Sequence, residues 1–453
     1  MKKYYLLILT ALIGQQTLFA QEGWFEQTSG TIEILNSVYF IDNDNGFIVG
    51  NNGTFLKTTD AGENWTSHPT GTNEQINAVQ FLNQNIGFAV ANLSYTARVM
   101  KTNDGGENWV TQILNPTYPV LYLQTIQFTD SNIGWAAGRR GIGDSSYALL
   151  YKTTDGGSVW FEEITPISSY HSLLSSLHFT DSDNGWITGW WAKYDSAYYP
   201  ILPIFKTTDG GNNWINQSIY TSSAWDGGII NSVYFVNESI GWVVGLLAVQ
   251  ATISSRIYKT TDGGSNWTEQ DHPTYPFLNL SSVFFIDENT GWTVSRNPPY
   301  EPFYIIRTTN GGADWIEQRQ ELMISLTDVF FVDENNGWAV GDSGKILHTT
   351  NGGVSSVEEN TISGIPTDYS LSQNFPNPFN PSTKISWQSP VGSWQSLKVY
   401  DVLGNEVATL VDEYKSAGNY EIEWDASNYP SGVYFYQLKT ENYIENKKMI
   451  LIK

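Results

Sequence analysis

SVYFIDNDNGFIVG, residues 37–50, and KTTDAGENW, residues 57–65, are the two halves of a unit that governs most of this 453-residue chain. The first half returns seven times, centred on Gly46, Gly87, Gly134, Gly185, Gly241, Gly291 and Gly337. The second also returns seven times, at Asp60, Asp104, Asp155, Asp209, Asp262, Asn310 and Asn351. The halves alternate, and successive units lie 41 to 54 residues apart, counted at the Asp or Asn. Self-similarity at this period marks a repeat architecture.

Each unit carries four short β signals. An apolar run such as Val329–Val332 comes first, then an Asp/Asn/Gly turn and a second run such as Trp338–Val340. A third, such as Ile346–His348, leads into the second half, and a fourth starts at the Trp five residues after the Asp. That Trp stands at 65, 109, 160, 214, 267 and 315. Four strands in a unit of this length make a propeller blade. The seventh unit breaks off, with Ser356 in place of the Trp and no fourth strand. The missing piece lies at the other end, where Trp24-Phe25-Glu26-Gln27 matches Trp267-Thr268-Glu269-Gln270 and Trp315-Ile316-Glu317-Gln318. The sequence therefore predicts an all-β fold: a seven-bladed β-propeller whose last blade is completed by the N-terminal strand, leaving no open sheet edge.

The TTDGGxxW element resembles the Asp-box (BNR) repeat. Locally, a short Asp or Asn side chain accepts backbone N–H bonds across the turn, and glycines such as Gly210 and Gly211 allow left-handed backbone. Seven dispersed copies read as scaffold, so Asp60, Asp104, Asp155, Asp209, Asp262, Asn310 and Asn351 are expected to be structural. The turn at Asp42–Gly46 lacks the spacing and the bidentate Glu of a calcium loop. The whole ring, residues 24–353, is similar to propellers related to photosystem II stability and assembly factors. That resemblance implies a binding or assembly scaffold.

Composition narrows the function. The chain has 46 acidic and 23 basic residues, a formal charge of −23, and no Cys. Nucleic acid and anionic membranes need a basic footprint and are not expected partners. Disulfides, thiolate metal sites and Cys nucleophiles are excluded. No metal or cofactor motif is found. Lys2 and Lys3, the apolar stretch Tyr4–Ile13 and Leu18-Phe19-Ala20 read as a signal peptide over residues 1–20, cleaved near Ala20. No later run is long enough to span a bilayer.

Candidate binding residues lie where the repeat is broken. Turns within the unit are short and regular, whereas loops on the opposite rim lengthen in blades 3 to 6. Blade 3 offers Arg139 and Arg140, and blade 4 offers Trp190, Trp191, Tyr198 and Tyr199. Trp225 lies in the next crossover, Arg256 in blade 5, and Arg296, Tyr300 and Tyr304 in blade 6. Flat aromatics beside Arg suit a glycan or a protein partner; the same rings also suit packing beneath long loops. Asp-box propellers include sialidases and xyloglucan-cleaving glycosidases. This chain has seven Arg and lacks the Arg-Ile-Pro element that the sialidase resemblance would require. Glycoside hydrolysis would otherwise need two facing carboxylates; Asp195, Asp226 and Glu301 are the candidates by location. Binding is the preferred reading and glycoside hydrolysis the alternative.

After the repeat, residues 354–371 read as a polar linker. Residues 372–453 alternate short strands with Gly, Pro and Asn turns, as in a small immunoglobulin-like β-sandwich. The segment resembles the type A C-terminal sorting domain of the type IX secretion system. The resemblance rests on Asn374, Pro376–Pro381, Val399–Gly404, Pro430–Tyr434 and Lys448–Lys453. It implies recognition by outer-membrane secretion machinery through residues 372–453, and release from, or attachment to, the surface of a Gram-negative cell. The domain order is then 1–20 signal peptide, 21–353 propeller, 354–371 linker and 372–453 sorting domain.

Overall fold

A computed structural model describes residues 23–93, 96–114, 120–142, 145–167, 171–191, 201–220, 227–249, 252–273, 278–296, 302–322, 324–354, 369–415, 417–440 and 443–453. The chain divides into two compact units between Val354 and Ser355. In the first, the described residues form five four-stranded antiparallel sheets, one eight-stranded sheet and one two-stranded sheet. The eight-stranded sheet is two four-stranded units joined by a single pairing, Trp190 with Ile229. The seven inner strands are Leu35–Phe40, Gln75–Phe81, Val120–Phe128, Ser172–Phe179, Gly227–Phe235, Leu280–Phe285 and Leu326–Phe331. Each lies beside the next, and the last lies beside the first.

Three side-chain rings repeat around this circle. Each inner strand carries a bulge at the same place, and in six of the seven the extra residue donates to a carbonyl of the following blade, Ser175 to Ile230 among them; the seventh, Gln124, accepts from Asn77 of the preceding blade at 3.2 Å. Asn36 donates to the Ile76 carbonyl (2.9 Å), Asn77 to Leu123 (2.6 Å), Asn231 to Leu280 (2.7 Å) and Ser281 to Leu326 (2.9 Å). Thr327 closes the circle onto the Leu35 carbonyl at 2.5 Å. Further out, a ring on each second strand stacks on the terminal Phe of the adjacent blade's inner strand. The pairs Phe40–Trp338, Phe47–Phe81, Phe88–Phe128, Trp135–Phe179, Trp186–Phe235, Trp242–Phe285 and Trp292–Phe331 have centroids 3.5 to 3.7 Å apart. Glycine opposite each Phe is required by this contact: a Cβ on Gly46 would fall 2.3 Å from the Phe40 ring.

The third ring is the Trp after each box, edge-on to the same Phe at 5.7 to 6.4 Å. In the seventh unit that place is taken by Trp24, 2 % exposed and edge-on to Phe331. Phe25–Gln27 pairs with Ile346–Thr350 as the fourth strand of blade 7. The Trp24 indole N–H donates to Gln318 of blade 6 at 3.0 Å, and Gln27 donates to the Ala61 carbonyl of blade 1 at 3.0 Å. The N-terminal segment thus ties three blades together.

The second unit is a β-sandwich. Ser370–Leu371, Ser382–Ser389 and Gly418–Asp425 form one sheet, and Glu406–Lys415, Ser393–Tyr400, Gly432–Lys439 and Ile444–Leu451 the other. Trp387, Leu397, Trp424, Tyr436 and Met449 are among the core residues between them. The Asn-Pro-rich segment runs along the final strand: Phe379 N–H donates to the Ile450 carbonyl and Ile450 N–H to the Asn377 side chain, both 2.9 Å. Asn374 N–H donates to the buried Tyr436 hydroxyl at 2.8 Å.

Candidate functional site

The box rim is chemically closed. In blade 1, Thr58 Oγ1 donates to Asp60 Oδ1 (2.8 Å), as does Asn64 N–H (2.9 Å), while Asn64 Nδ2 donates to Oδ2 (2.8 Å). The Asn64 amide, with help from backbone and Thr58, holds the Asp60 carboxyl below the usual carboxylate range. Gly62, at φ +83, turns its N–H back to Thr58 Oγ1 at 2.9 Å. The pattern recurs at Asp104, Asp209 and Asp262. Asp155 lacks the Asn and is held by the Val159 N–H and Thr153. Blade 6 is inverted: Asn310 donates its amide to Asp314 at 2.8 Å, so the box still holds one carboxylate and one amide. In blade 7, Asn351 donates to the Val354 carbonyl at 2.6 Å.

The boxes also lock the blades together. Lys101 and Lys152 each donate to a box carbonyl of the following blade, Gly156 and Gly210, at 2.7 Å. Trp242 and Trp292 donate to Gly311 and Gly352 at 3.0 Å. The Asp42 turn spends its carboxylate on Asp44 N–H, Asn45 N–H and the Asn45 amide at 2.7 to 3.0 Å. Among the described residues, no three His, Asp or Glu side chains converge as a metal site.

The opposite rim departs from the repeat. Blades 1 and 7 turn there through the short segments Asn51–Gly53 and Asp342–Gly344. In blade 3 the second strand, Gly134–Ile142, has nine residues against five in Gly46–Gly50. Four extra residues lengthen the strand by about 13 Å at ~3.3 Å each. Blade 5 has nine-residue strands as well, Gly241–Val249 and Thr252–Thr260. Blade 4 adds a two-stranded ribbon in which Ile201 pairs with Tyr220 and Leu202 with Ile219. Leu202, within this ribbon, is wholly buried.

The expected binding residues fall into distinct environments. Arg139 is exposed, with its guanidinium 5.6 Å from the Tyr122 ring centroid. Arg140 is ion-paired with Glu162 and lies 5.8 Å from the Tyr147 ring. Trp190 is half-buried at the blade 4–blade 5 pairing, and Trp191 packs against the core between blades 3 and 4. Arg256 pairs with Glu269 at 3.0 Å and donates to Ser254 Oγ at 2.7 Å. Arg296 is exposed, and its backbone N–H donates to the Asn279 carbonyl at 2.7 Å. Tyr304 is a correction: it is 6 % exposed and packs with Trp242, Phe285 and Trp315 inside the ring. It belongs to the third strand, Phe303–Thr308, rather than to the loop before it. Asp195, Tyr198, Tyr199, Trp225, Asp226, Tyr300 and Glu301 lie outside the described residues.

Two features escaped the sequence reading. Tyr220, 61 % exposed at the ribbon end, accepts from Asn216 at 3.3 Å. Glu74, almost fully buried, pairs with Arg98 at 2.6 Å. The long crossover after Trp214 signalled the first; nothing in the spacing signalled the second.

Comparison with known proteins fits these two units. Residues 373–453 match the secretion system C-terminal sorting domain, and residues 17–120 match the photosynthesis system II assembly factor YCF48. No curated protein matches the chain. Among solved structures, YCF48 with a bound D1 peptide aligns at TM-score 0.51 and 16% identity, over 74% of this chain and 96% of its own. YCF48 from Cyanidioschyzon merolae aligns at 0.52 and 17%, over 72% and 98%. A GH74 enzyme from Niastella koreensis aligns at 0.52 and 12%, over 95% and 75%. These likenesses show the propeller fold, and the sorting domain marks a secreted or cell-surface protein.

Proposed function

From a propeller joined to a secretion sorting domain, we propose an extracellular recognition module. Its loop face on blades 3 to 6 binds a protein or glycan partner, and residues 372–453 engage the outer-membrane export machinery after a signal peptide is cut near Ala20. The observation that carries this reading is the asymmetry of the rims. The box rim repeats one hydrogen-bonded turn seven times, while the loop rim differs in every blade from 3 to 6. A scaffold held constant on one side and varied on the other is how binding surfaces are built. The YCF48 structure with a peptide bound is consistent with this use of the fold.

Two measurements test it. Deleting residues 372–453 should leave the propeller in the periplasm; normal delivery of the truncated protein to the exterior would refute the export part. The mature chain, immobilised, should capture a defined ligand from glycan arrays or the native exterior protein pool. That capture should be lost on Trp190→Ala with an intact melting transition. Loss of folding instead would assign Trp190 to packing.

Glycoside hydrolysis is the second reading, and one observation favours it. Ile201 and Tyr220 are paired, so the loops that carry Asp195 and Asp226 are rooted side by side. Glycoside hydrolysis needs two carboxylates acting as acid and base or nucleophile. Activity on a polysaccharide panel, abolished by Asp195→Asn, Asp226→Asn or Glu301→Gln, would establish it; no activity on any member would remove it.

A further inference from the structure

We infer that the loop face takes an extended peptide with apolar residues in its middle and carboxylates at its ends. The inference rests on the loop-face reading above and names the partner's chemistry.

The first observation is a row of four side chains. Leu173 pairs with Trp190, Trp190 with Ile229, and Ile229 with Leu246, across four consecutive strands of the fused sheet. Directly paired residues share a sheet face, and all four are half-buried rather than enclosed. Three inter-strand steps of ~4.8 Å make a strip of about 14 Å. About four residues of extended chain cover that length at ~3.4 Å each. This is also the one place, among the described residues, where strands of neighbouring blades pair.

The second observation is charge. Arg139 and Arg296 occupy the blade position that Trp190 and Leu246 hold in blades 4 and 5. Each directly follows the small residue opposite the inner-strand bulge, namely Gly138, Gly189, Gly245 and Ser295. The two guanidiniums therefore flank the apolar row, one from blade 3 and one from blade 6. Among the described residues, other cations on this rim are ion-paired: Arg98 with Glu74 (2.6 Å), Arg256 with Glu269 (3.0 Å), Arg319 with Glu321 (3.2 Å) and Lys345 with Glu26 (2.9 Å). Arg140 is paired with Glu162. Arg139 and Arg296 have no carboxylate partner among the described residues, in a chain with 46 acidic and 23 basic residues. Both guanidiniums are exposed, and an exposed guanidinium offers the paired N–H donors that a carboxylate accepts. Arg139 is also placed beforehand by the Tyr122 ring beneath it.

Aliphatic Leu173, Ile229 and Leu246 favour apolar side chains over a sugar chain, which needs polar partners along its length. The test uses the mature full chain against immobilised heptapeptides with Leu at three central positions and Glu, Gln or Lys at both ends. Glu-ended peptides should bind, with affinity falling as salt rises. Gln-ended ones should bind at least tenfold more weakly, and Lys-ended ones not at all. Arg139→Gln and Arg296→Gln should each cost about tenfold for the Glu-ended series without moving the melting temperature. Equal binding of Gln-ended peptides, indifference to both Arg substitutions, or binding of immobilised polygalacturonate in place of peptide would each overturn the inference. The parent reading is judged separately: a native ligand lost on Trp190→Ala but kept on Arg139→Gln and Arg296→Gln would retain the loop face and discard the acidic peptide.

Discussion

The two rims of this propeller are made by the same seven units and obey opposite rules. On the box rim, polar side chains are spent on the turn itself or on the next blade, and a substitution there removes a bond the ring uses. On the loop rim, the chain is free to lengthen, as the nine-residue strands of blades 3 and 5 and the extra ribbon of blade 4 show. Divergence is tolerated where it does not touch the circle of bulges and stacked rings. Conformity of the box rim and variety of the loop rim are thus one fact: closure is secured on one side, so the other can be used.

The largest effect should come from opening the circle. Removing residues 21–30 deletes the fourth strand of blade 7, the buried Trp24 and the Gln27 link to blade 1. Loss of a buried Trp alone costs roughly 3–5 kcal/mol. The freed edge of Ile346–Thr350 would invite pairing between molecules. Thermal unfolding and light scattering should show a large drop in melting temperature and association. An unchanged melt and a monomer would mean that closure does not depend on this segment.

The same seam carries a pH signature. Where blades 1 to 6 place Lys57, Lys101, Lys152, Lys206, Lys259 and Arg307, blade 7 places His348. Its ring lies between Trp338 (4.5 Å) and Phe25 (4.9 Å), and burial pushes its pKa down to about 4. His178 on another inner strand is likewise pushed to about 4 by burial. Both are neutral in the folded chain, whereas an unfolded His takes its proton near 6.5. Stability is therefore full above pH 6.5 and falls as pH drops toward 4, by up to ~3 kcal/mol per group at 1.36 kcal/mol per unit. Asp328, linked to Val38 N–H (3.0 Å) and Ser282 (2.8 Å), has its carboxyl raised by burial and works in the opposite sense. Denaturant titrations between pH 4 and 7 should show a shallower slope for His348→Gln. An identical slope would place the proton uptake elsewhere.

Smaller still is the effect at the inverted box. Asn310→Asp sets two carboxylates against each other where Asn310 now donates to Asp314, and should cost about 1 kcal/mol. Adding Asp314→Asn recreates the arrangement of Asp60 and Asn64 and should recover most of it. A double-mutant cycle in melting experiments would show the coupling; additive losses would mean that the box reads each position independently.

How legible this was depends on what repeats. The blade signal and the N-terminal strand were readable because Trp, Gly and Gln recur at fixed offsets, and Trp24 to Gln27 keeps those offsets at the wrong end of the chain. The bulge ring was not singled out: Asn36, Asn77, Ser175, Asn231, Ser281 and Thr327 share a role without sharing an identity, so no repeat of residue type announces them. Tyr304 reads as part of the blade 6 loop in the sequence, next to Glu301 and Pro302, yet the third strand already begins at Phe303. Burial of its ring is decided by strand register, which a loop boundary read from turn residues misses by two positions.

The smallest effect is the one that sharpens the contrast between the rims. Arg139→Gln and Arg296→Gln alter exposed side chains for which no carboxylate partner is described, and should shift stability by less than about 0.5 kcal/mol. Thr58→Val on the box rim removes an oxygen that donates to Asp60 and accepts from Gly62 N–H. A buried N–H left without an acceptor costs on the order of 1–3 kcal/mol. Both kinds of variant can be melted under one condition. If the loop-rim Arg changes were as costly as the Thr change, that rim would belong to the scaffold, and its variety would reflect packing rather than recognition.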